Sequence, residues 1–94
     1  MSLTGNVYII SRRAWRIDDL ESGSFEPILV SLDRDLINAT FSNIRTNVLR
    51  DKDVVDFEGK PCDFEYKRKN WYYQYRIRAY ELGKFNALGY RQGQ

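Results

Sequence analysis

Histidine is absent from this chain, and cysteine occurs once, as Cys62. Without histidine the chain lacks the commonest general base at neutral pH and the commonest zinc ligand, and every Ser–His or Cys–His pairing is excluded. A lone cysteine excludes an intrachain disulfide and a cysteine-based zinc site, which fits a reducing, cytoplasmic setting. Only two prolines and six scattered glycines are present, so there is no glycine-rich phosphate loop. No segment has a linker's composition, and the 94 residues are expected to form a single domain, ordered over about 6–82 with a tail at 83–94. No apolar run approaches membrane-spanning length, and the first residues lack the basic-then-apolar order of a signal peptide. No cofactor and no membrane association are expected.

What the chain does have is aromatic and charged. Seven tyrosines, five phenylalanines and two tryptophans make up 15% of the residues, within a composition that is 43% hydrophobic and 30% charged. Aromatic residues favour strands and interfaces, so sheet is the first expectation. The net charge of +2 is unevenly spread. Residues 64–94 carry seven lysines and arginines against two acids, beside most of the tyrosines, whereas residues 1–33 hold three arginines against five acids.

The pattern along the chain predicts strands at Val7–Ile10 (extending through Ser11 to Arg13, with Ala14–Ile17 as a possible continuation) and at Glu26–Leu32. Residues 18–24 read as a loop. Asp33 has the character of a helix N-cap, and Ile37, Phe41, Ile44 and Val48 recur at helical spacing, predicting an amphipathic helix over 34–50. A short strand is expected at Val54–Phe57, a turn at Glu58–Pro61, and a half-buried strand at Asp63–Lys67 with Phe64 and Tyr66 inward. Arg68–Asn70 reads as a hairpin tip. The longest strand, Trp71–Leu82, divides into two faces: Trp71, Tyr73, Tyr75, Ile77 and Ala79 on one, Tyr72, Gln74, Arg76, Arg78 and Tyr80 on the other. In the tail only Phe85 and Leu88 are candidates for packing. The fold expected is α+β: an antiparallel β-sheet of β-β-α-β-β order, with one further strand allowed, and a single helix on one face.

Three stretches carry a resemblance: Val7-Tyr8-Ile9-Ile10-Ser11, the strand-to-helix passage from Ile28 to Asp35, and Tyr75-Arg76-Ile77-Arg78-Ala79-Tyr80-Glu81-Leu82-Gly83. Together they resemble small proteins of bacteriophages and bacterial mobile elements that run from a VYIVS-like strand through a helix to a terminal YEL strand. That resemblance implies an accessory or host-interference role and transfers no catalytic residue. The helix departs from it, being rich in Asn, Thr and Ser where a charged, Ala-rich helix is usual.

Three constellations deserve weighing against simpler readings. Asp56 with Glu65-Tyr66-Lys67 matches the D…E-x-K signature of Mg-dependent nucleases, in which two carboxylates hold the metal and the lysine assists the attacking water. The same residues are what a wet strand face presents when Phe64 and Tyr66 point inward. Asp51, Asp53, Asp56 and Glu58 suggest calcium, but a calcium loop starting at Asp51 would put Val55 at its fifth position and Asp56 where glycine is needed. Cys62 has only Lys60 nearby to activate it, and a buried or incidental thiol is the simpler account.

The basic-aromatic stretch 66–80 is the most informative. Tyr72, Gln74, Arg76, Arg78 and Tyr80 would share one face, with Lys67, Arg68 and Lys69 extending it, and Arg12 and Arg13 joining if the first strand pairs beside the last. Arginine with tyrosine suits protein interfaces, and it also suits single-stranded nucleic acid, where rings stack on bases and guanidiniums meet phosphates. The expectation is a non-catalytic module that recognises a host protein or nucleoprotein through this face. Direct binding of single-stranded nucleic acid or RNA is the alternative, and a small nuclease the distant one. A dimer is also expected, since one helix covers only one face of such a sheet.

Overall fold

The computed structural model describes residues 5–19 and 23–81. These form β1 (Asn6–Arg16), β2 (Glu26–Ser31), α1 (Arg34–Arg50), β3 (Val54–Lys60), β4 (Asp63–Arg68) and β5 (Trp71–Glu81). The strands make one five-stranded sheet in the order β2-β1-β5-β4-β3, every neighbouring pair antiparallel. The α+β architecture with one helix on an antiparallel sheet is therefore the observed fold. Its centre is the β1–β5 pair, in unbroken register from Asn6 opposite Glu81 to Arg16 opposite Trp71. β2 and β3 occupy opposite edges, so α1, which joins them, must cross one face of the sheet.

Local chemistry accounts for the helix. The Asp33 carboxylate accepts hydrogen bonds from the backbone N–H groups of Asp35 and Leu36, satisfying two of the first turn's orphan donors. At the other end the Asp51 N–H donates to the Val48 carbonyl. The apolar stripe seen in the sequence becomes the buried face, with Ile37, Phe41 and Val48 buried and Ile44 packed beside them. They meet Ile10, Phe64 and Tyr66 from the sheet, and the Phe41 and Phe64 rings lie 5.1 Å apart. Around Phe64 the stack continues through Phe57, Tyr66 and Tyr75, all with centroids within 6.2 Å of it.

β1 takes up the continuation allowed for it, through Ala14, Trp15 and Arg16, each of which pairs with a residue of β5. Other strand boundaries differ from expectation, and β2 ends at Ser31, one residue before Leu32. β3 includes Glu58, Gly59 and Lys60, which read as a turn in sequence; they pair with Glu65, Phe64 and Asp63, and the turn shrinks to Pro61–Cys62. A bulge between Val55 and Glu58, with Asp56 at φ +54°, breaks the alternation and so hides this strand from a period-two reading. Arg68 closes β4, leaving Lys69 and Asn70 as the tip. Phe85 and Leu88, with the rest of 83–94, lie outside the described residues.

Candidate functional site

The face of the sheet away from α1 is left without a covering layer by any described element. Pairing assigns its residues: on β5 Tyr72, Gln74, Arg76, Arg78 and Tyr80; on β1, opposite them, Trp15, Arg13, Ser11, Ile9 and Val7; on β4 Lys67, Glu65 and Asp63. The five β5 residues that the sequence singled out thus share one face, and Arg13 joins them.

At the centre of this face cations and rings form a ladder. The Trp15 and Tyr72 rings stack with centroids 5.5 Å apart and planes 21° from parallel. The Lys67 ammonium lies 6.0 Å from the Tyr72 centroid. On the far side of Trp15 the Arg13 guanidinium sits 4.5 Å from its ring and 4.9 Å from the ring of Phe25. Arg76 in turn lies 3.5 Å from the Phe25 centroid. Each contact sets a positive charge against the negative face of a ring. The ladder runs Lys67, Tyr72, Trp15, Arg13, Phe25, Arg76.

Hydrogen bonding fixes the ladder further. An Arg13 terminal nitrogen donates to Gln74 Oε1 at 2.7 Å. The Nε atoms of Arg13 and Arg76 are both buried without a hydrogen-bond partner. Stacking occupies the flat faces of these guanidiniums. Carboxylates are interleaved: Asp63 stands opposite Arg76, and Glu65 opposite Gln74. A shallow recess of about 400 Å³ beside them is lined by Glu58, Gly59, Lys60, Asp63, Glu65 and Gln74. The face is consequently mixed in charge.

The remaining sequence candidates stand elsewhere. Arg12 pairs with Tyr75 and lies on the helix side; its hydrogen bond to the Tyr75 phenol raises its pKa. Tyr66, in the same group, has its phenol pushed above the ordinary tyrosine range, first by burial and then by Tyr75. Arg68 also faces the helix side, bonding Asp51 at 2.7 Å and Asp53 at 3.4 Å. It ties the end of α1 to the end of β4, a structural role. The Asp51 pKa is lowered, chiefly by the Asp53 backbone N–H and next by Arg68. Lys69 occupies the hairpin tip in left-handed conformation, φ +57°, away from the ladder. Arg78 and Tyr80 are exposed further along β5.

Trp15 and Phe25 were missed by sequence reasoning. Trp15 carries no motif, and only the β1–β5 register brings it beside Tyr72. Phe25 comes from a loop whose path no pattern specifies. Of the nuclease-like residues, Glu65 and Lys67 share the open face, while Asp56 sits in the bulge of β3. Among the described residues no group of three or more His, Cys, Asp or Glu side chains converges in a way that could hold a metal ion. Cys62 is exposed in the β3–β4 turn. No described helix is long and apolar enough to cross a membrane. No protein-family description, curated protein or solved structure was found to match the chain.

Proposed function

We propose that this protein is a non-catalytic binding module that docks a protein partner on the open face of its sheet, with Trp15, Tyr72, Arg13 and Arg76 as anchors. The observation that carries this reading is the ladder itself. Tryptophan, tyrosine and arginine are the residues in which protein-interface energy concentrates, and here they are gathered on one surface that no described element covers. Their mutual stacking holds the side chains in place before a partner arrives, which lowers the entropy lost on binding.

Charge separates this from nucleic-acid binding. A phosphate backbone calls for a continuous basic surface. Asp63, Glu65 and Glu58 interrupt this one on the β4 and β3 side. A mixed face suits the alternating charges of a protein surface better. An accessory or host-interference protein of a phage or mobile element is the biological setting proposed for it.

Affinity capture from the native host with the full chain tests the proposal. The same partner should be recovered with the wild type and with Leu49→Ala, on the exposed side of α1, and lost with Trp15→Ala and with Arg76→Ala. Titration with single-stranded DNA, RNA and duplex should give weak binding that vanishes at moderate salt. Submicromolar nucleic-acid binding at moderate salt, abolished by Arg13→Ala with Arg76→Ala, would replace the protein reading with the nucleic-acid one.

A further inference from the structure

The two edges of the sheet are built differently. β3 has the features by which sheets discourage unwanted pairing: a bulge between Val55 and Glu58, the left-handed Asp56, and the charged Glu58 and Lys60. β2 has no charge from Pro27 through Ser31, and while Leu29 packs against the core, the apolar side chains on its other face are exposed. Ile28 is 47% exposed, Val30 54% and, just past the strand, Leu32 67%. Among the described residues β2 is paired on one side only, to β1, and no described strand takes up its outer backbone groups.

We propose that β2 is a dimerisation edge, through which two copies of the chain join antiparallel about a two-fold axis at Val30 into one continuous sheet. With Val30 at the axis, two copies of Val30 meet on the face opposite α1, where pairing with Ile9 places that side chain, and Ile28 stands level with Leu32 of the second copy at either end. Proline lacks an N–H, and the β1–β2 register shift falls beside Ile28, so Pro27 and that shift end the regular edge there and centre the pairing on Val30. An open chain of molecules would need β2 to pair with β3 of the next copy. The bulge and charges of β3 oppose that, which leaves the closed two-fold arrangement. Each dimer then carries two ladders, one on each half of the same sheet face.

Light scattering on the full chain at high micromolar concentration should give a mass near twice 11.2 kDa. Val30→Lys places two ammonium groups opposite each other at the axis and should return the mass to that of one chain, with its circular-dichroism spectrum retained. Val55→Lys, at an equally exposed position on the other edge, should leave the doubled mass unchanged. Should Val30→Lys fail to fold, Leu32→Lys, outside the strand, reads the same contact. A wild type of single-chain mass, or a folded Val30→Lys protein of doubled mass, overturns the proposal. A monomeric wild type whose partner capture is lost with Val30→Lys would assign the edge to that partner's strand instead. The ladder reading is tested separately, since Trp15→Ala should abolish capture while leaving the mass doubled.

Discussion

Gly23 has φ +98°, and a Cβ added to it would lie 2.5 Å from the Ala14 carbonyl oxygen, closer than side-chain carbons come to backbone atoms. Glycine is required there because both the conformation and the approach exclude a side chain. Its placement against β1 brings the chain to Phe25, and Phe25 separates Arg13 from Arg76. Gly23→Ala should therefore cost roughly 1–3 kcal/mol in denaturant unfolding, a strain-sized penalty. It should also change the near-ultraviolet signal of Trp15 by loosening the ladder. Tyr66 makes a second residue-scale prediction. Its folded-state pKa is raised, so the unfolded chain releases that proton first as pH climbs. Its contribution to stability is fully present below the ordinary value of 10.0 and is lost as pH rises from there towards the folded-state pKa. Tyr66→Phe should flatten this alkaline loss in melts recorded above pH 10.0.

Among the elements, α1 contributes the largest single block of core. Phe41 is 3% exposed and lies against Phe64, which is fully buried, so little can collapse into the space its ring leaves. Phe41→Ala should destabilise by about 3–5 kcal/mol, a large share of the stability of a domain this size. A melting temperature within a degree or two of wild type, about what a small exposed-site change gives, would contradict the packing. The end of the same helix is held by Asp51 and Arg68. Because the Asp51 pKa is depressed on folding, its contribution is present above the ordinary 3.8 and is lost as pH falls through the folded-state value. Asp51→Asn should remove that part of the acid dependence, visible as a shallower loss of stability below pH 3.8.

At the scale of the whole molecule, the first and last described strands are neighbours at the centre of the sheet. β5 pairs with both β1 and β4, so it supplies the middle of the structure from the end of the described chain. Such pairing of distant segments carries a high loop-closure cost and should make folding slow for the chain's length. Truncation before Trp71 should abolish cooperative unfolding altogether, since it strips one side from two strands and leaves the core residues Ile10 and Phe64 without Ile77 and Tyr75 beside them. A sigmoidal thermal transition in that truncated chain would show that β5 is less central than its pairing implies.

Much of this architecture was legible beforehand because it rests on local rules. Helical spacing from Ile37 to Val48 and the Asp33 cap marked α1 to the residue, and alternation from Trp71 onward separated the two faces of β5. Those patterns record which side of an element meets water, a property each segment carries by itself. Register was not available in that way. Arg12 and Arg13, neighbours on one strand, must face opposite ways, but only their pairing with Tyr75 and Gln74 shows that Arg13 is the one on the open face. Trp15 gained a role only by standing opposite Tyr72, and Phe25 only through the backbone approach at Gly23. Glu58 to Lys60 have the composition of a turn, but pairing with β4 makes them strand, with the bulge at Asp56 absorbing the mismatch. The sequence by itself determined the elements, the absence of histidine chemistry and the Tyr/Arg face of β5. Tertiary structure decided how those side chains join into one ladder and which strands flank which, because Trp15 meets Tyr72, and Phe25 meets Arg76, across about fifty residues or more of chain.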